Sequence, residues 1–215
     1  MTREELIAYI DNSIMMGDIV TEKSEIYQRL NKLIYYYGEE ELLGAVCVDG
    51  VMYIKKDAYN YIHLVYYDVR QGRYEKLDLA DCIDIIDEDA FSRDVSLKSI
   101  SGESVIKIGN SAFYDTHIEN INFPNVEEIG TGCFYAANIQ NATLNKLKKV
   151  SAEAFKLSKI RNFRGDEVEA VEDDAFYGCL DLRFLRVPNA RIIHTNGLNL
   201  SQIKIFGSKF CRLVD

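Results

Sequence analysis

The chain has no tryptophan and only two prolines in 215 residues. Its five cysteines (Cys47, Cys82, Cys133, Cys179, Cys211) are odd in number and widely spaced, with no CxxC pair. That pattern disfavours both a disulfide framework and a structural zinc site. No run of 18 apolar residues occurs, so no segment reads as a membrane-crossing helix. The opening MTREELIAYIDNSIMM places acids where a signal peptide carries positive charge, and a cytoplasmic, reducing setting is expected. Positive charge is scarce: 34 acids face 25 bases, for a formal charge of −9. Up to Ala80 there are 14 acids and 9 bases, and beyond it 20 and 16, so neither part carries a basic tail. Phosphate-backbone binding, which Lys and Arg drive by displacing counterions, is therefore not expected. An apolar content of 47% with 27% charged residues is ordinary globular composition.

What the sequence does have is a repeat. A small residue before an aromatic or aliphatic one recurs as Ala90-Phe91, Ala112-Phe113, Cys133-Phe134, Ala154-Phe155, Ala175-Phe176 and Gly197-Leu198, at spacings of 21 or 22. Four positions ahead of each small residue stands Ile86, Ile108, Ile129, Val150, Val171 or Ile193. Behind each pair comes an aliphatic column, Leu97, Ile118, Ile139, Ile160, Leu182 and Ile203. Three residues further lies a second column, Ile100, Ile121, Ala142, Phe163, Leu185 and Phe206. One coil of this length cannot bury its own apolar side, whereas stacked coils align each column into a continuous ladder. The segment Ile118–Phe123 reads as a strand with Ile121 and Phe123 inward and Asn120 and Asn122 outward. Pro124 and Pro188 follow the strands, where a missing N–H does least harm.

The segment AFYGCLDLRFLRVPNARII (Ala175 to Ile193), with its I-x-x-x-A-F start and L-x-x-L-x-V-P strand, resembles the BspA-type leucine-rich repeat. The resemblance covers residues 83–211. It implies a right-handed solenoid with one parallel strand per coil, and protein binding as its usual activity. Many members of that family are exported surface proteins. The last copy, with Gly197-Leu198 and the ending KFCRLVD, suits a worn capping coil.

Residues 1–80 do not repeat. Thr2-x-x-Glu5 is a capping box for a helix over about Arg3 to Met16. Thr21 caps a second helix that Gly38 ends. Asp49-Gly50, inside Val46 to Ile54, is a two-residue hairpin signal, and a second hairpin is expected around Arg70-Gln71-Gly72. The expected fold is therefore α+β. A small ααββββ region (1–80), acting as a cap or an interaction domain, precedes a leucine-rich-repeat solenoid (81–215) of six coils, each 21–23 residues long, with short parallel strands. Eleven of the 14 tyrosines lie in the first region, among them Tyr35, Tyr36 and Tyr37.

No mechanistic motif emerges. His63, His117 and His194 lack metal-ligand spacing, and Cys133 and Cys179 sit at packing positions. Gly130-Thr131-Gly132 lacks the rest of a phosphate loop and reads as a turn. The acidic run Glu167, Glu169, Glu172, Asp173 and Asp174 reads as a solvated edge or a cation site. No catalytic residue, metal or cofactor is assigned. Tyr114, Tyr135 and Tyr177 share a register after the Phe column, either as an aromatic strip or as cover for the coil.

Function is then expected on the outward face of the strands. Its positions are Ser99/Ser101, Asn120/Asn122, Asn141/Thr143, Asn162/Arg164, Phe184/Arg186 and Ile205/Gly207. Arg and exposed aromatics anchor protein interfaces, so Asn120, Asn122, Thr143, Asn162, Arg164, Phe184 and Arg186 are the candidate binders of a protein partner. Two alternatives stand beside this noncatalytic binding module. One is an acidic inhibitor of a nucleic-acid-handling protein, encoded by a mobile element. The other is an enzyme site in the N-terminal region.

Overall fold

Columns of apolar residues 21 or 22 positions apart can all be buried at once only if successive coils lie directly on one another. The computed structural model shows this stacking. It describes residues 83–214 together with 44–47, 51–56, 59, 61–68 and 75–79. Seven strands form one parallel sheet: Lys76–Asp78, Ser99–Ser101, Asn120–Asn122, Asn141–Thr143, Asn162–Arg164, Phe184–Val187 and Lys204–Gly207. Side chains alternate along a strand, so the middle residue points inward and its neighbours outward. Ile100, Ala142, Phe163 and Leu185 are accordingly buried, and Ile121 packs against the core.

Across the core the coils pair again through shorter strands. Ile85–Ile86, Lys107–Ile108 and Glu128–Ile129 continue one sheet, and Lys149–Val150, Ala170–Val171, Ile192–His194 and Arg212–Val214 form another. In the first of these, Gly130 N–H donates to the carbonyl of Ile108 at 2.8 Å. A Cβ at Gly130 would lie 2.4 Å from the backbone nitrogen of Asn110, so only glycine allows that approach.

Between strands and turns runs a column of phenylalanines. Phe91, Phe113, Phe134, Phe155 and Phe176 stack with centroids 5.0 to 5.3 Å apart and planes within 12°. Phe163 meets Phe155 and Phe176 edge-on at 5.4 Å. Each ring adds roughly 0.5–1.5 kcal/mol of pairwise stacking to the gain from burial itself. The turn before and after each ring needs a left-handed residue. Asp89, Ser111, Gly132, Glu153 and Asp174 hold the first such position, and Arg93, Asp115, Ala136, Leu157 and Gly178 the second. Three residues after each Phe comes a buried residue, Asp94, Thr116, Ala137, Ser158 or Cys179. Thr116 Oγ1 closes its own turn by donating to Phe113 O, whereas Cys179 Sγ reaches across to Phe155 O of the preceding coil.

Two expectations need correction at the N-terminal end. The solenoid has about seven turns, against six expected. The hairpin expected around Arg70-Gln71-Gly72 does not form, because its two arms belong to different sheets. Ile62–Asp68 runs parallel to Ile85–Ile86, and Lys76–Asp78 runs parallel to Ser99–Ser101. The reason is burial: Leu64 falls in the Ile86 column and Leu77 in the Ile100 column, extending both ladders by a coil that lacks the Ala-Phe anchor. The other expected pairing is present, with Cys47 opposite Val51, so three residues and not two separate the paired ends. Gly44–Cys47 pairs antiparallel with Val51–Lys56, which pairs antiparallel with Ile62–Asp68. The two expected helices and Tyr35–Tyr37 lie outside the described residues, and no helix occurs among those described.

Candidate partner-binding face

The outward positions of the seven-stranded sheet form two parallel rows. One row reads Lys76, Ser99, Asn120, Asn141, Asn162, Phe184 and Lys204; the other reads Asp78, Ser101, Asn122, Thr143, Arg164, Arg186 and Phe206. The last coil differs from expectation. Ile205 pairs with Leu185 and packs against the core, so Lys204 and Phe206 face outward in place of Ile205 and Gly207. Other coils space successive columns three positions apart, as in Leu97 and Ile100, whereas here Ile203 and Ile205 are one strand period apart. The alternation Ile-Lys-Ile-Phe was visible in the sequence, but the fixed repeat spacing overrode it.

Changes in side-chain chemistry along the rows divide the face. Beyond Lys76 and Asp78 the next coils are small and polar, and part of that polarity is internal: Asn162 Nδ2 donates to Asn141 Oδ1 at 2.6 Å. Ser101 likewise donates to Asp78, at 2.8 Å. From Arg164 onward the face becomes cationic and aromatic. Arg164 donates to Asp166 through Nε at 3.0 Å and through Nη2 at 2.5 Å. Arg186 reaches the same carboxylate through Nε at 3.3 Å. The two guanidiniums hold the Asp166 carboxyl below its usual range, the Arg164 hydrogen bond contributing most, and that bond raises Arg164 in turn. Lys204 Nζ lies 5.9 Å from the centre of the Phe184 ring. Phe184 and Phe206 keep 44% and 49% of their surface exposed.

These residues surround a depression of about 340 Å³, lined by Asn141, Thr143, Asn162, Arg164, Phe184, Arg186 and Phe206, with Ala142 and Phe163 as its floor. Five of the seven expected binders line it. Asn120 and Asn122 stand on the same face, two and three coils away from the arginines, and do not line it. Sequence reasoning missed Lys204 and Phe206, through the register, and Asp166, whose role depends on two arginines meeting across neighbouring strands.

The other constellations resolve into structure. Each acid of the run 167–174 has a basic partner from a different part of the coil stack: Glu167 pairs with Lys148, Glu169 with Arg191, Glu172 with Lys149, Asp173 with His194 and Asp174 with Lys156. Among the described residues no group of acids, histidines and cysteines is arranged to hold a metal. Tyr114 and Tyr135 stack on each other at 5.1 Å, with Arg93 over Tyr114 and Lys156 over Tyr177. Gly197 closes the far side of Tyr177: a Cβ there would meet the ring at 2.3 Å, at a φ of +72°. The tyrosines therefore cover the coil and one another. Cys133 and Cys179 are buried, and burial raises both thiols, Cys179 to about 11. Gly130-Thr131-Gly132 is a turn, as expected.

The period that builds these ladders is shared with known proteins. The profile of the BspA type leucine rich repeat region matches six copies over residues 66–183. No curated protein matches the chain. A leucine rich cell surface protein from Faecalibacterium prausnitzii is similar in structure, at 17% identity and a TM-score of 0.52, over 76% of this chain and 39% of that one. A leucine-rich repeat protein from Eubacterium ventriosum is similar at 12% identity and a TM-score of 0.54, over 80% of this chain and 62% of its own. The chain thus spans less than two thirds of either, and at these identities the likeness establishes the solenoid fold alone. The profile match covers more than half of the sequence. The chain belongs to the BspA type leucine-rich repeat family.

Proposed function

We propose that this protein is a noncatalytic binding module that receives a protein partner on the outward strand face, centred on Arg164, Phe184, Arg186 and Phe206. The family's solenoid is typical of interaction and surface proteins. The observation that carries the reading is the depression itself, where two half-exposed aromatic rings and two arginines share one surface. Exposed aromatic and Arg side chains in one patch are the composition of interface centres.

The test is capture from the native host with the wild-type protein as bait, followed by rebinding of the purified partner. Arg164→Glu with Arg186→Glu leaves the circular dichroism spectrum unchanged and abolishes rebinding. A partner that survives both changes rules out this surface.

The alternative of an acidic inhibitor that imitates nucleic acid gains no support from the surface. Such a role calls for an uninterrupted stripe of carboxylates. On the coil edge Lys107 faces Glu128 at 3.0 Å and Lys149 faces Glu172 at 2.9 Å, so acids and bases alternate.

A further inference from the structure

The patch differs from the protein around it in the sign of its charge. The whole chain carries −9, yet Arg164, Arg186 and Lys204 stand together at one end of this face, with Asp166 as the acid that the two arginines share. The two coils before it present Asn120, Asn122, Asn141 and Thr143, all uncharged, and separate this cationic cluster from Lys76 and Asp78 at the other end of the face.

The arginines are used unequally. Arg164 commits Nε and Nη2 to Asp166, whereas Arg186 commits Nε alone, at 3.3 Å. Among the described residues the Nη donors of Arg186 have no acceptor, and its side chain is 49% exposed. Arg186 also lies at the centre of the cluster. Arg164 and Phe206 are its neighbours on the adjoining strands, and Phe184 precedes it by two residues on its own strand. Neighbouring strands are about 4.8 Å apart, and residues two apart on one strand about 6.8 Å. A group bonded to Arg186 is therefore within one or two residues' reach of both rings. A planar guanidinium with two parallel N–H donors matches a carboxylate.

We propose that the patch receives an acidic protein segment in which an Asp or Glu carboxylate bonds the Nη donors of Arg186 while a large apolar side chain nearby covers Phe184 and Phe206. This rests on the strand-face reading above and specifies the chemistry of the partner. Nucleic acid fits less well, because a chain of net charge −9 repels a dense polyanion and the patch supplies only two net positive charges.

Selection of a random peptide display library on the intact protein, with Arg186→Glu and Phe206→Ser as counter-selections, tests this. The enriched peptides carry an Asp or Glu within a few residues of Phe, Leu, Ile or Met. One of them, synthesised with a fluorophore, binds in anisotropy about tenfold more weakly at 500 mM than at 50 mM salt. It weakens by a similar factor against Arg186→Gln, and a matched peptide with Gln for each acid weakens likewise. Both variants keep the wild-type circular dichroism spectrum. Enrichment of basic or uncharged peptides, no enrichment over the counter-selections, or tighter binding of a single-stranded oligothymidylate each overturns the proposal. If the captured partner loses binding to the double-Glu variant but these peptides fail, the strand face stands and the acidic segment falls. If the partner survives that variant, the surface itself is wrong.

Discussion

At the scale of single residues, each coil is shaped by two backbone positions that ordinary side chains occupy reluctantly. Ala136 has a φ of 55°, in the left-handed region, while Gly178 holds the equivalent place two coils on. A non-glycine residue there costs on the order of 1–2 kcal/mol, and glycine gives back part of that gain through its unfolded-state entropy. Ala136→Gly is expected to stabilise the protein by about 0.5–1 kcal/mol, read as a rise in the urea midpoint at constant slope. The thiols allow a second measurement at this scale. Burial raises Cys133, Cys179 and Cys211, but only Cys211 is part-exposed, so access to reagent separates it from the two buried thiols. At pH 8, peptide mapping after iodoacetamide treatment should find Cys211 alkylated well before Cys133 and Cys179, a difference that urea erases. The packing role of Cys133 was legible because its column is otherwise Ala or Gly, and that of Cys179 followed from the resemblance to the family's repeat. The left-handed positions were not, since Asp89, Arg93, Glu153 and Leu157 carry no common chemical mark.

At the scale of the element, the coil was readable and its strand register was readable except at one end. Fixed spacing located Phe91 through Phe176 and placed Asn120 and Asn122 outward, because a repeated burial pattern leaves one solution for the buried face. Spacing failed where the anchor was lost. Leu64 and Leu77 extend the ladders without an Ala-Phe pair, and Ile205 enters the core one residue earlier than the period allows. The Phe ladder has a measurable consequence. Phe134 lies fully buried between Phe113 and Phe155, at 5.2 Å from each. Phe134→Ala removes both stacks and opens a cavity that the neighbouring coils, held by their strands, fill poorly. A loss of about 3–5 kcal/mol in chemical denaturation is expected. Cys133→Ala, which installs the residue found in four other coils, should cost less than about 1 kcal/mol.

At the scale of the whole molecule, stability is a sum of coils and of the interfaces between them, so the weakest interface decides how the chain comes apart. Among the described coils the interface with the fewest strand pairings lies between the coil holding Asn120–Asn122 and Glu128–Ile129 and the coil holding Asn141–Thr143 and Lys149–Val150. On the seven-stranded side these coils share a single pair of partners, Asn120 and Asn141, where most of their neighbours share three. On the other side the sheet is interrupted, and Ile129 and Val150 belong to separate sheets. The hydroxyl of Ser151 crosses the gap, donating to Ile129 O at 2.6 Å, where other coils use a backbone N–H. The Phe134–Phe155 stack also spans the junction, with backbone bonds from Gly132, Phe134 and Ala136 N–H to Ala152, Ala154 and Lys156 O and from Lys148 N–H to Glu127 O. Ser151→Ala leaves a buried carbonyl without its donor and should cost about 1–3 kcal/mol. Because the cost falls on one interface, it should also divide the cooperative unit. Hydrogen exchange of the variant is expected to show amides after Lys149 opening at a different free energy from those in 83–129, while wild type opens as one unit. Uniform loss of protection along the chain would instead mean that the Phe column, which runs unbroken across the junction, couples the two halves more strongly than the sheets divide them.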